Sequence, residues 1–207
     1  MLTAGDALKR LQDGNRRFVA NESTAATLLD PARRAALIAG QEPFAIILGC
    51  SDSRVPAELI FDQGLGDLFV IRVAGNIVAP SQVGSVEFAA SRFGTKLVVV
   101  LGHTQCGAVI ATYEALTSQA QAATSNLRSI VERVRPAVET VLAAGGEQDA
   151  DAIIRQATRA NVRAAVDHLK HGSALLERLV QTAGLRIVGA EYSLESGLVE
   201  FFDDWGE

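Results

Sequence analysis

The chain has 207 residues, 48% of them hydrophobic and 21% charged, with a formal net charge of −5. That is enough for one domain with a substantial core, in the composition range of soluble globular proteins. The acidic balance argues against nucleic acid as a partner. No apolar run approaches the roughly 20 residues that cross a bilayer, and Met1 to Arg10 lacks the continuous apolar stretch of a signal peptide, so the expected location is cytoplasmic, away from membranes.

Thr3 to Asn21 reads as an amphipathic helix, with Leu8, Leu11 and Phe18 near one face. Lys9, Arg10, Arg16 and Arg17 around them read as a solvated face. Asp30-Pro31 is a helix start, with Asp at the N-cap and Pro in the first turn, and Gly40 is the stop. Four short apolar runs follow: Phe44 to Gly49, Leu68 to Ala74, Lys96 to Gly102 and Leu185 to Ala190. They lack polar alternation, which suits strands buried on both faces of a parallel sheet. Helical patterns separate them: Pro56 to Phe61, Ser81 to Phe93, Gln105 to Leu116, and Ser125 to Ala183 with an interruption at Gly145-Gly146. A hairpin turning at Ser196-Gly197 leads to a last strand, Leu198 to Phe202. The pattern predicts a single α/β domain. Its centre is a mostly parallel sheet of four strands plus a C-terminal antiparallel edge strand, flanked by helices, with an N-terminal helical arm over residues 1–40.

Both cysteines and one of the three histidines fall in two short motifs, Cys50-Ser-Asp-Ser-Arg54 and His103-Thr-Gln-Cys106-Gly107. Each follows an apolar run, so both are expected at the carboxyl edge of the sheet, where ligands bind in open α/β folds. Two cysteines do not make a disulfide scaffold, and in a reducing compartment they point to a metal or to catalysis. Two thiolates and an imidazole suit Zn2+, and three protein ligands with a fourth position open is the pattern of a catalytic zinc. Two thiolates offset the charge of the ion, so a bound water ionises less readily than on three neutral imidazoles. Asp52 is suited to accept the hydrogen bond from that water, and Arg54 to hold Asp52 ionised through a two-pronged bond. Alternatively Asp52 ligates zinc itself and closes the site. His168 and His171, spaced i, i+3 on a helix, read as a solvated face in the absence of a third ligand. Trp205 in the acidic tail reads as a packing or partly exposed residue.

The two motifs closely resemble the signatures of β-class carbonic anhydrases. Val55-Pro-Ala-Glu58, Phe61 to Phe69, Arg72-Val-Ala-Gly-Asn76, Gly84-Ser-Val-Glu-Phe88 and Gly189-Ala-Glu-Tyr192 resemble the family as well. The resemblance implies a zinc enzyme that interconverts carbon dioxide and bicarbonate by attack of zinc-bound hydroxide. In it Cys50, His103 and Cys106 are the zinc ligands, one ion per chain, and Asp52 and Arg54 are the catalytic dyad. It assigns a substrate hydrogen bond to Gln41, a backbone N–H facing bicarbonate to Gly107, and an apolar carbon dioxide pocket to Phe69, Ala74 and Phe88. It also implies a homodimer or a dimer of dimers, with part of the pocket contributed across the interface and the arm packing on the partner. One subgroup carries an inhibitory bicarbonate site built from a Trp, an Arg and a Tyr. Arg72 and Tyr192 match two of these positions, but Ile47 stands at the third and offers no indole N–H, so regulation of that kind is not expected. The ligands alone do not separate carbon dioxide from carbonyl sulfide or carbon disulfide.

Overall fold

The computed structural model describes residues 2–24, 30–118, 124–145 and 149–202; Trp205, the acidic tail and Gly146 lie outside them. In chain order the elements are α1 (Ala4–Val19), α2 (Pro31–Ala36), β1 (Ala45–Gly49), α3 (Ala57–Ile60), β2 (Leu68–Arg72), α4 (Pro80–Phe93), β3 (Leu97–His103), α5 (Gly107–Thr117), α6 (Ser125–Ala144), α7 (Ala150–His171), α8 (Ala174–Thr182), β4 (Arg186–Tyr192) and β5 (Val199–Phe202). Short 3-10 turns cover Leu37–Ala39 and Ala74–Asn76. The five strands form one sheet in the order β2-β1-β3-β4-β5. The first four are parallel, and β5 runs antiparallel to β4.

The central strands are buried on both faces, as their unbroken apolar runs require. Ile47, Val99, Leu101 and Val188 pack with Leu8 and Leu11 of α1 and Phe61 behind α3. Ile46, Leu48, Val98, Val100 and Ile187 pack on the opposite face with residues of α4, α7 and α8. A third cluster beneath α5 and α6 contains both cysteines. The chain leaves β1 for β2 on one side and then crosses to β3 on the other, so the strand order reverses between β1 and β3. That is the crevice where parallel α/β sheets bind ligands.

The helix starts follow their local chemistry. Asp30 accepts the Ala32 N–H at 3.0 Å with Pro31 behind it, and Thr3 caps α1 by accepting the Asp6 N–H at 3.1 Å. The 125–183 helical stretch has a second break that the pattern did not anticipate. Ser173 accepts the Leu176 N–H and starts α8 as a new helix.

The basic residues of α1 are not all solvated. Lys9 and Arg16 pair with Asp13 on the helix surface, whereas Arg10 reaches Asp67 and Arg17 reaches Asp62. The buried Asp62 carboxylate also accepts from Ser23 and Thr24. Gly14 explains its own presence inside α1. A Cβ there would lie 1.8 Å from the Phe61 carbonyl oxygen, so only glycine lets the helix seat on this loop. Leu8 and Leu11 are buried in the chain's own core. A contact of the arm with a partner must therefore use other residues.

Candidate active site

Cys50 follows β1 directly, and His103 is the last residue of β3. The loop after β1 is folded by Asp52, whose carboxylate accepts the Arg54 backbone N–H at 2.9 Å and whose carbonyl accepts the Val55 N–H at 3.0 Å. Arg72, at the end of β2, donates to the Cys50 and Asp52 carbonyls and fixes the loop to the neighbouring strand. After β3 the chain reverses through Gln105 in a left-handed conformation (φ 55°). Cys106 then caps α5 and turns back to face Cys50. The turn is braced by the Thr104 N–H donating to the Tyr192 carbonyl and the Leu194 N–H donating to the Thr104 hydroxyl.

The sulfurs of Cys50 and Cys106 and a ring nitrogen of His103 lie within 4.8 Å of one another, all three residues buried. His103 Nδ1 lies 2.9 Å from the Thr104 carbonyl oxygen. A carbonyl only accepts, so Nδ1 carries the proton and Nε2 presents its lone pair. That Nε2 is buried without a hydrogen-bond partner. An orphaned acceptor among two thiols fits a soft divalent cation, and zinc takes this donor set in a tetrahedral shell. No other cluster of three His, Cys, Asp or Glu ligand atoms occurs among the described residues. His171 pairs instead with Asp167, at 3.6 Å.

The electrostatics suit metal binding. The Cys50 thiol is pulled well down, first by its hydrogen bond with Cys106 and then by the Gly75 N–H at 3.3 Å, against the opposing effect of burial. Cys106 is pushed up by the same shared proton and by burial. One sulfur is therefore ready as a thiolate, and a cation would draw the proton off the other.

Asp52 and Arg54 form the two-pronged pair that their spacing predicts, with Arg54 Nε donating to Oδ1 at 3.0 Å and Nη2 to Oδ2 at 2.9 Å. The Arg54 side chain chiefly, with its backbone N–H in support, holds the carboxyl far below the ordinary carboxylate range despite partial burial. Asp52 Oδ2 is 3.9 Å from His103 Nε2, so the carboxylate borders the ligand set while Arg54 holds it. Arg54 also lies 3.5 Å from the Gln105 carbonyl, linking the two motifs.

The remaining anticipated residues divide. Gly107 opens α5 beside Cys106, exposed, with open space where a side chain would stand. Ala74 adjoins Gly75 and is half-buried at the same edge. Gln41 lies elsewhere. It precedes β1 and borders cavities with Arg10, Phe44 and Arg92 on one side and Leu37 and Leu65 on the other. The five residues of β1, about 16 Å of strand, separate it from Cys50. Phe69 sits opposite Ile46, roughly 10 Å along β2 from the site edge. Its ring meets Phe88 at 6.2 Å and Phe93 at 6.1 Å, and Phe88 is 54% exposed. Within one chain these three residues do not meet the ligand set. Arg72 is engaged with backbone carbonyls, while Ile47 and Tyr192 are packed in the core, where burial pushes the tyrosine hydroxyl up. The role of Gly75 was not read from the sequence, although its positive φ of 70° is the kind of constraint that a glycine signals.

Comparison with known proteins agrees with this geometry. Residues 45–199 match the family model described as carbonic anhydrase. The chain is 38% identical over 205 residues to a carbonic anhydrase of Mycolicibacterium smegmatis, covering 97% of this chain and 94% of that protein. It is 38% identical over 200 residues to carbonic anhydrase 2 of Mycobacterium tuberculosis, covering 97% and 93%. The crystal structure of the β-carbonic anhydrase CafA of Aspergillus fumigatus superposes with a TM-score of 0.75 at 28% identity, covering 84% of this chain and 81% of that one. The strand order, the cysteine–histidine cluster at its reversal and these matches place the chain in the β-carbonic anhydrase family.

Proposed function

We propose that the chain catalyses the reversible hydration of carbon dioxide to bicarbonate and a proton at one zinc ion held by Cys50, His103 and Cys106, with Asp52 and Arg54 controlling the fourth coordination position. The observation that carries this reading is the Asp52–Arg54 pair beside the partnerless Nε2 of His103. A purely structural zinc site has no use for such a pair. Zinc held there supplies a Lewis acid that brings the ionisation of a bound water toward neutral pH and so provides the nucleophile. Asp52, kept ionised by Arg54, would accept a hydrogen bond from that nucleophile and so aim its lone pair. Arg54 keeps the carboxylate off the metal. The Gly107 N–H is assigned to an oxygen of bicarbonate.

Gln41, Phe69 and Phe88 are assigned to the substrate pocket of a second copy, because their own chain holds them away from its ligand set. Two observations support a homodimer built on this face: the exposed Phe88 ring over Phe69, and the open edge of β2 at the end of the sheet. A pair of sulfurs reserved for zinc is best kept from oxidation in a reducing compartment, which fits a cytoplasmic enzyme. No helix among the described residues is long and apolar enough to cross a membrane.

Removal of the metal tests the reading. Chelation should abolish hydration and zinc content together, and one equivalent of zinc should restore both. Full activity in metal-free protein would contradict it.

A further inference from the structure

We propose that Asn161 is a positioning residue for the metal site, acting through the Gly75 backbone on Cys50. The inference rests on zinc occupying the Cys50, His103 and Cys106 set.

Gly75 is held at both ends of its residue. Its N–H donates to Cys50 Sγ at 3.3 Å, and its carbonyl accepts from Asn161 Nδ2 at 2.8 Å, a buried bond joining the loop after β2 to the middle of α7. Its φ of 70° lies where side chains are rarely tolerated. A Cβ there would meet the Ala108 Cβ at 2.9 Å, in the first turn of α5 that Cys106 caps, and Val134 of α6 at 3.4 Å. Gly75 is thus wedged between the helix that carries one sulfur ligand and the sulfur of the other, and among the described residues the side chain that holds its carbonyl is Asn161.

Asn161 is 4% exposed and flanked by the buried Ala157, Thr158, Val162 and Ala165 of the same helix. A buried amide in such surroundings is costly unless it is hydrogen-bonded. Its bond goes to the carbonyl of Gly75, in the peptide plane that adjoins, across the Gly75 Cα, the plane whose N–H faces Cys50. Beyond satisfying a buried carbonyl, it fixes the rotation of the Gly75 backbone and with it the direction of the N–H. An N–H aimed at a metal-bound thiolate draws electron density from the sulfur and sets its donor strength, as outer hydrogen bonds do at metal sites generally. Asn161 also borders a cavity of about 730 Å3 between α4, α6 and α7, so its removal opens space that the loop can relax into.

The test compares N161D, which replaces the donor with a repelling carboxylate oxygen, N161A, and T158V as a control. Thr158 is buried on the same helix, and its hydroxyl bonds only within that helix, to Ile154. Folding is followed by circular dichroism and melting. Zinc affinity is measured by competition with a chromophoric chelator, and the cobalt-substituted proteins are compared by the thiolate-to-cobalt charge-transfer band. Wild type and T158V should bind one zinc per chain with the same band. N161D and N161A should bind zinc about tenfold or more weakly, with a displaced band. If neither can be purified folded, N161S, which keeps a polar group and leaves room for a bridging water, takes their place, with the same displacement expected. Folded Asn161 variants with wild-type affinity and an unmoved band would overturn the inference, as would an equal displacement in T158V. Failure of wild type itself to bind zinc would instead overturn the metal assignment on which the inference stands.

Discussion

At the residue scale the proposed controlling contact is Asp52 on Arg54. Of the two readings for Asp52, resting on arginine or ligating the metal, the bonds from Arg54 to both carboxylate oxygens support the first. The bond is charge-assisted and bidentate, the strongest form such a pair takes. It is nevertheless largely solvent-facing, since the Arg54 side chain is 51% exposed, so its role is aim rather than stability. With Asp52 Oδ2 only 3.9 Å from His103 Nε2, loss of the guanidinium frees the carboxylate to turn onto the metal. We expect Arg54→Ala to keep its zinc and its fold while losing about 10–100-fold in hydration rate. A crystal structure of the zinc-loaded variant should show the Asp52 carboxylate in the fourth coordination position. An R54A protein with wild-type rate and an unchanged coordination shell would show that Arg54 does not hold the site open.

Among the elements, α1 and the loop from Phe61 to Asp67 form a unit that the sequence shows only in part. The amphipathic stripe of α1 was legible, and Leu8 and Leu11 are buried as that stripe requires. The partners of Arg10 and Arg17 were not, because a basic residue on a helix looks the same in sequence whether it meets solvent or a carboxylate far along the chain. Asp62 is the clearest case. Burial alone would push its carboxyl up, but donors from Arg17, Ser23 and Thr24 outweigh burial and hold it below the ordinary value. A carboxyl depressed in the folded state stabilises the fold above its unfolded pKa of about 3.9, and the contribution fades as pH falls from that value through the lower folded one. Asp62→Asn should therefore cost about 2 kcal/mol in urea unfolding at pH 7, and the gap from wild type should narrow at pH 3. An equal gap at both pH values would contradict this account of the clamp. The break between α7 and α8 was missed although two adjacent residues mark it: Gly172 closes α7 with its N–H on the His168 carbonyl, and Ser173 caps the start of α8.

For the whole molecule, the parallel sheet and the placement of both motifs at its carboxyl edge were legible; that they meet was not. Apolar runs mark buried strands, and each motif directly follows one. What spacing along one chain cannot convey is whether a residue at the far end of a strand serves the site of a second copy. Gln41 is close to Cys50 in sequence and a full strand away in space. Its assigned role, like those of Phe69 and Phe88, requires a second copy, and mixing tests this. Cys50→Ser chains lack the metal site and Gln41→Ala chains lack the donor, yet a mixed dimer contains one intact site. Co-refolding the two should recover about a quarter of wild-type activity if subunits pair at random in a closed twofold dimer. Mixtures no more active than their separate components would contradict the shared site.

The most direct test of the central claim is stopped-flow hydration of carbon dioxide across pH, on wild type and Asp52→Asn of measured and equal zinc content. The account predicts hydration by wild type and a fall of about 10–100-fold in Asp52→Asn. Fully zinc-loaded wild type that hydrates no carbon dioxide at any pH, or an Asp52→Asn protein as fast as wild type, would contradict it.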